Sequence, residues 1–238
     1  MSIKFENTQV LNFEGAIRGM RNPLNSWDKS DSANGCLEMD CEKCSYNIPG
    51  SINCKNETGR LAEYIIGPND LALMKKLIKA GSDHRKFMRQ ILVSVDITAP
   101  LYWWKEFDTY KVGTVSNSCS TMHKITSKPI ELSDFSIDDF NIDDDYNEIS
   151  LADMFINIVA DCEELRKKYL ETKDKRYWKG LIQLLPSSYN QRRTITLNYE
   201  VLYNIYGSRR NHKLDEWSIG FMEWIESLPY SELITDRS

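Results

Sequence analysis

This 238-residue sequence predicts a mixed α+β fold. Three observations carry that expectation. Val93, Val95 and Ile97 alternate with Ser94, Asp96 and Thr98, which is the period-two pattern of a half-buried strand. Pro100 then opens an aromatic helix over 101–111, at a position whose missing amide costs nothing in a first turn. Two other stretches, 69–80 and 151–169, place apolar side chains at helical intervals.

Taken in order, residues 3–13 read as an opening strand. A short helix follows and stops near Asn22–Pro23, because proline cannot continue it. Residues 28–60 are polar and rich in Gly and Asn, and read as a Cys-rich loop insertion within one domain spanning 1–238. The helix over 69–80 has Asn69 or Asp70 as its cap and Leu71, Met74, Leu77 and Ile78 as its apolar stripe. Gly81 suits its C-terminal turn. Residues 131–148 are strongly acidic. A calcium loop there lacks its turn glycine and its terminal glutamate, so self-repelling charge favours a solvated linker. Ser150 and Asp153 form a capping box for the helix over 151–169. Met154, Phe155, Ile158, Cys162 and Leu165 make up its core-facing side. Further helices are expected over 194–208 and 214–226. No internal repeat is present.

The net charge of −5 argues against broad binding to a nucleic acid polymer. Arg192–Arg193 and Arg209–Arg210 still offer local charge for a small phosphate. No apolar run is long enough for a membrane span, and the first residues lack the apolar core of a secretion signal, so a cytoplasmic protein is expected. Cys36, Cys41, Cys44 and Cys54 lie within nineteen residues. The CEKC pair has zinc-knuckle spacing, since two intervening residues let both thiolates reach one ion. The other gaps fit no common ribbon. Zinc, an iron–sulfur group, free thiols and a redox disulfide therefore all stay open, and a metal here would be structural.

The segment 93–122 resembles the signature region of the flavin-dependent thymidylate synthases. That family carries a strand, a proline, a helix of the pattern Arg-Gln-x-x-Arg-His-Arg and a loop of the pattern Ser-x-Asn-Glu-x-Ser-x-Arg-Tyr. Pro100 falls on the family proline. Lys105 and Glu106 fall on Arg-Gln, and Thr109, Tyr110 and Lys111 on Arg-His-Arg. With one extra loop residue, Thr114 takes the first serine, Asn117 the asparagine, Ser118 the glutamate and Ser120 the second serine. Met122–His123 replace Arg-Tyr. His84 matches a family histidine ahead of the strand. A second run is similar: Leu185–Pro186, Asn198 and Arg209 keep the family intervals, with Ile182 in place of an arginine and Asn204 in place of a histidine.

The resemblance implies a central antiparallel sheet flanked by helices, and FAD held at an interface of a homotetramer. It implies reductive one-carbon transfer to dUMP or a related pyrimidine nucleotide, with methylenetetrahydrofolate and NADPH as co-reactants. Cofactor contacts would fall to His84, Thr109, Tyr110, Lys111, Asn117, Asn198 and Asn204. Substrate contacts would fall to Lys105, Glu106, Ser118, Ser120 and Arg209, with Ser120 nearest the chemistry. Ile182 and Met122 stand where the family puts cations near the nucleotide phosphate. Each lost charge-assisted bond removes about 1.5–3 kcal/mol. The alternative is therefore a nucleotide-binding or interaction protein that retains the fold without turnover.

If Asn198 and Arg209 share one helix, eleven residues set them on nearly the same stripe, about 16 Å apart. Trp103, Phe107 and Tyr110 also share a face, suited to a core or to a planar ligand. Cys119 beside Ser120 has no evident base partner and reads as a plain buried thiol. The segments 100–122 and 186–209 are expected to line one crevice between protomers.

Overall fold

The computed structural model describes residues 3–35, 63–138, 145–146 and 149–237. The chain opens with β1 (Lys4–Leu11) and α1 (Phe13–Arg21). A small antiparallel pair, β2 (Ala33–Gly35) and β3 (Glu63–Ile65), precedes α2 (Pro68–Lys79). Then come β4 (Leu92–Pro100), α3 (Leu101–Phe107), β5 (Val115–Ser118) and the short α4 (Thr121–Lys124). A two-residue pair, β6 (Asp145–Tyr146) and β7 (Ile149–Ser150), leads into α5 (Leu151–Thr172) and α6 (Lys175–Leu184). The chain continues through β8 (Asn190–Asn198), α7 (Tyr199–Arg209), a π-helical turn at Glu216–Phe221, α8 (Met222–Glu226) and α9 (Glu232–Thr235).

Four strands make the main sheet, in the order β1-β4-β8-β5, with every pair antiparallel. Alternation sets its two faces. Val93, Val95, Ile97 and Ala99 of β4 and Ile195 and Leu197 of β8 point into a core shared with α1, α3, α7 and α8. The opposite face is polar. At its centre Asp96 accepts bonds from Asn7 Nδ2 (2.8 Å), Arg192 Nη2 (2.8 Å) and Thr194 Oγ1 (2.5 Å). The Thr194, Asn7 and Arg192 donors hold the Asp96 carboxyl well below the usual carboxylate range. The helices of this core thus cover one face of the sheet, and the other is left polar, as antiparallel sheets allow.

The expectation of one helix over 194–208 is corrected. Residues up to Asn198 are strand and the helix starts at Tyr199. β8 lies between β4 and β5, so both edges of its backbone are paired, and Thr194, Ile195 and Thr196 are β-branched. Asn198 is extended (φ −135°), and its side chain accepts the Val201 amide at 3.0 Å. It ends the strand and caps the helix. The shared stripe with Arg209 therefore does not exist.

α5 and α6 pack a second, smaller core. Phe155, Val159, Cys162 and Leu181 meet Ile125, Ile130 and Phe135. Ser150 caps α5 as expected, accepting the Asp153 amide at 3.1 Å. Met154, expected on the core side, is instead 47% exposed, and Val159 fills the stripe. α6 was not foreseen; Asp174 caps it by accepting the Arg176 amide at 2.9 Å.

The entry to α2 also differs from expectation. The Asp31 carboxylate, not Asn69 or Asp70, caps it, accepting the amides of Asn69 (2.8 Å) and Asp70 (3.0 Å). Asp70 is fully buried and faces Arg21. Residues 36–60 of the expected insertion lie outside the described residues, and so do Cys36, Cys41, Cys44, Cys54, Asp139, Asp143 and Asp144. Among the described residues no helix is long and apolar enough to cross a membrane. None of their His, Cys, Asp and Glu side chains are grouped to hold a metal ion.

Candidate functional site

Pro100 closes β4 and turns the chain into α3 (φ −69°, ψ 153°), so the proline sits at the corner between strand and helix. The segments on either side of the loop 186–189 then lock together. Leu101 N donates to Tyr189 O and Tyr102 N to Ser187 O, both at 3.0 Å. Cys119 N donates to Arg192 O at 2.9 Å, and Gln191 Nε2 returns a bond to Cys119 O at 2.8 Å. Within one chain, 100–122 and 186–209 are neighbours.

A cleft of about 320 Å³ opens beside this junction. Its lining includes Cys119, Ser120, Thr121, Lys124, Lys128, Asp134 and Tyr189. Ser120 caps α4 by accepting the His123 amide at 3.1 Å, which leaves its own proton free to donate. Lys128 donates to Asp134. Burial and the nearby Asp134 push the Tyr189 phenol up, so it stays a neutral donor. Cys119, expected as a buried thiol, is exposed, because it follows the edge strand β5 at the mouth of this cleft.

A second constellation forms where α3 ends. Arg209, at the end of α7, donates through Nη1 to Glu106 Oε2 and through Nε to the Tyr110 hydroxyl (2.9 Å). Its guanidinium lies 5.1 Å from the centre of the Trp217 ring. His212 Nε2 lies 3.2 Å from the same Glu106 oxygen, while its Nδ1 accepts the Leu214 amide at 3.1 Å. An accepting Nδ1 puts the ring proton on Nε2, facing Glu106. Arg209 is therefore committed within its own chain.

The other expected residues are placed as follows. Thr109 Oγ1 donates to Glu106 O at 2.7 Å, which ties the hydroxyl to the last turn of α3. Lys105 and Lys111 are exposed. Asn117 and Ser118 are exposed on the edge strand β5. His84 is exposed ahead of a 3₁₀ turn, and Asn204 is exposed on α7. Asn198 is buried against Gly113, whose φ of +76° and 3.0 Å approach of a notional Cβ to Asn198 Nδ2 both favour glycine. Trp103 and Phe107 are core residues, stacked at 5.1 Å, and only Tyr110 of that stripe reaches polar groups.

Sequence reasoning missed Lys124, Lys128, Tyr189 and His212. Lys124 and Lys128 follow Ser120 by one and two helical turns' worth of residues, a signal legible only once Ser120 is known to cap α4. Nothing in the sequence linked His212 to Glu106.

No family model matches the chain, and no curated protein matches it by sequence. Solved structures do match. Two crystal structures of thymidylate synthase X from Helicobacter pylori, each with FAD and dUMP, align at a TM-score of 0.62 with 13% and 14% identity. Each alignment covers 100% of this chain and 98% of the other. The chain has the fold of thymidylate synthase X. At that identity the likeness speaks for architecture.

Proposed function

We propose that the protein is a flavin-dependent, thymidylate synthase-like enzyme. It would act on dUMP or a related pyrimidine deoxynucleotide and carry out reductive, methyltransferase-like one-carbon transfer to the base. The observation that supports this reading is the cleft at Ser120, lined in part by both segments that resemble the family, within a fold shared along the whole chain with proteins solved holding FAD and dUMP.

Lys111 would hold the FAD diphosphate, Tyr110 would present a ring edge beside it, and Lys105 would contact the substrate. Both lysines are exposed and have no ion-pair partner among the described residues, which fits an anionic cofactor and an anionic substrate. Bound flavin supplies the hydride. Methylenetetrahydrofolate supplies the carbon and NADPH restores the flavin. Asn117, Asn204 and His84, the expected cofactor contacts, and Ser118, an expected substrate contact, are all exposed on a single chain, which is compatible with a site completed by further copies, and a homotetramer in the cytoplasm is the assembly we propose. Cys36, Cys41, Cys44 and Cys54 would bind a structural zinc or remain free thiols, which elemental analysis of reduced protein distinguishes.

The second reading is a nucleotide-binding protein without turnover. Arg209 favours it, because Glu106 occupies the guanidinium that the resemblance assigns to substrate. The test is product formation from dUMP, methylenetetrahydrofolate, NADPH and FAD. Steady thymidylate formation supports the enzyme and removes the second reading. Binding of dUMP with no product over many hours supports the second.

A further inference from the structure

His212 ties together groups from three parts of the fold. It lies just beyond α7, with its side chain 22% exposed. Nε2 stands 3.2 Å from Glu106 Oε2 on α3, and Nδ1 accepts the Leu214 amide at 3.1 Å. Leu214 leads into the π-helical turn, its carbonyl accepting the amides of Trp217 (3.0 Å) and Ser218 (3.1 Å). Trp217 is fully buried, with its ring centre 4.5 Å from that of Trp103, 6.3 Å from that of His212 and 5.1 Å from the Arg209 guanidinium. One imidazole thus touches the carboxylate that covers Arg209 and also holds the start of the turn whose indole packs against it.

Nδ1 can accept the amide only while it carries no proton. A proton there would set two N–H groups against each other, so an imidazolium and the closed turn exclude one another. The same proton would give Glu106 a second full cation beside Arg209 and weaken its hold on the guanidinium. The charged and titratable groups gathered here are Glu106 on α3, Tyr110 just after it and Arg209 at the end of α7. Lys213 and Asp215 flank His212 in sequence and are exposed, and Glu216 accepts the Tyr102 hydroxyl. Of these residue types only histidine ordinarily changes charge between about pH 5 and 8. The turn itself is costly to keep. It is π-helical, a rare geometry, and the buried Trp217 Nε1 has no hydrogen-bond partner among the described residues. A segment that leaves a buried donor unpaired loses less on opening than a fully bonded one.

We propose that His212 is a proton-operated latch on the turn 212–217. While neutral, it keeps the turn closed and leaves Glu106 seated on Arg209. On taking up a proton it releases the Leu214 amide, draws on Glu106 and loosens the cover on Arg209. The closed turn cannot carry the Nδ1 proton and the open turn can, so falling pH favours the open turn. The latch rests on the preceding functional reading only for what Arg209 then meets, which under that reading is an anionic substrate. The switch itself stands on the bonds around His212.

The test is nuclear magnetic resonance of the full chain without ligand, following the His212 ring nitrogens and the hydrogen exchange of the Leu214 amide. At about pH 8 the ring is expected to be neutral with its proton on Nε2, and the Leu214 amide to be protected. At about pH 5.5 the ring is expected to be charged and the Leu214 protection factor to have fallen at least about tenfold. His212→Asn places a carbonyl oxygen where Nδ1 stood and cannot take up a proton. Its Leu214 protection is expected to match the wild type in base and to stay unchanged in acid. His212→Ala, which offers no acceptor, is expected to leave Leu214 unprotected at both pH values. A melting curve of each variant at the higher pH establishes that it is folded. A proton on Nδ1 in base, a ring that stays neutral in acid, or wild-type protection indifferent to pH would each overturn the proposal. Titration with FAD and dUMP in the same preparations separates the latch from the functional reading. A pH-dependent turn in protein that binds neither ligand leaves the latch standing and removes that reading. Binding of both ligands with a turn indifferent to pH does the reverse.

Discussion

Replacing Asp70 by Asn should cost the protein a large part of its stability. Asp70 is 0% exposed, and the Arg21 that faces it is 4% exposed. Five donors converge on its carboxylate. Arg21 Nε lies 2.6 Å from Oδ1, while Ser30 Oγ (2.7 Å), Ser32 Oγ (2.6 Å) and the amides of Asp31 and Ser32 (both 3.2 Å) reach Oδ2. An asparagine keeps the shape and must put its NH₂ on one side. On the Oδ2 side that group meets four donors. On the Oδ1 side it meets the guanidinium. Either way Arg21 is left as a buried charge without its counter-ion, a change that costs about 3–5 kcal/mol. For a chain of this length each kcal/mol moves the melting temperature by about 2–4 °C, so a fall of roughly 6–20 °C is expected. Thermal and urea unfolding of the wild type and Asp70→Asn measure it. Pairing Asp70→Leu with Arg21→Met should recover much of the loss, because no lone charge then remains. A loss below about 1 kcal/mol for Asp70→Asn would refute the reasoning, since the carboxylate would then not be compensating a buried cation.

Acid should open the second core by way of Glu163. The bond from Arg166, joined by the Ile130 amide at 2.9 Å, holds its carboxyl below the ordinary value of 4.5 against the opposing effect of burial. A depressed folded pKa contributes stability that is full above the unfolded pKa and is lost as pH falls through the folded one. Melting temperature should therefore decline below about pH 4.5, and Glu163→Gln should decline less steeply over that window. The two described free thiols should differ in alkylation. Cys162 is buried and its pKa is pushed up to about 11, so it should stay unmodified near neutral pH in folded protein, whereas exposed Cys119 should react. Because Cys119 lines the cleft, dUMP should slow its modification, as read by mass spectrometry of its peptide. Glu106→Gln keeps an acceptor for Arg209 but removes the charge of a partly exposed pair, so a loss of about 1 kcal/mol and a fall of roughly 2–4 °C are expected.

Much of the fold was legible because its signals are local. The alternation at Val93, Val95 and Ile97, the proline corner at Pro100 and the Ser150 cap each depend on a few adjacent residues, and each appears where expected. β8 was not legible in the same way. Ile195, Leu202 and Ile205 also fit a helical spacing, and the strand exists because β4 and β5 pair with it from far away in sequence. α6 was missed because half of its residues are charged or polar, and it gains an apolar face only by packing on α5. At the candidate site, sequence reasoning named Glu106, Tyr110 and Arg209 separately. The structure joins them in one cluster, which no sequence spacing announces. The lysines of the cleft escaped notice because exposed lysine is common and its meaning comes only from the residues that share the cleft.

The most direct measurement is the near-ultraviolet and visible absorbance of freshly purified protein, repeated after incubation with FAD and removal of the excess. The account predicts flavin bands that travel with the protein and weaken when Lys111 is replaced by Ala. Protein that stays colourless after exposure to FAD would contradict it.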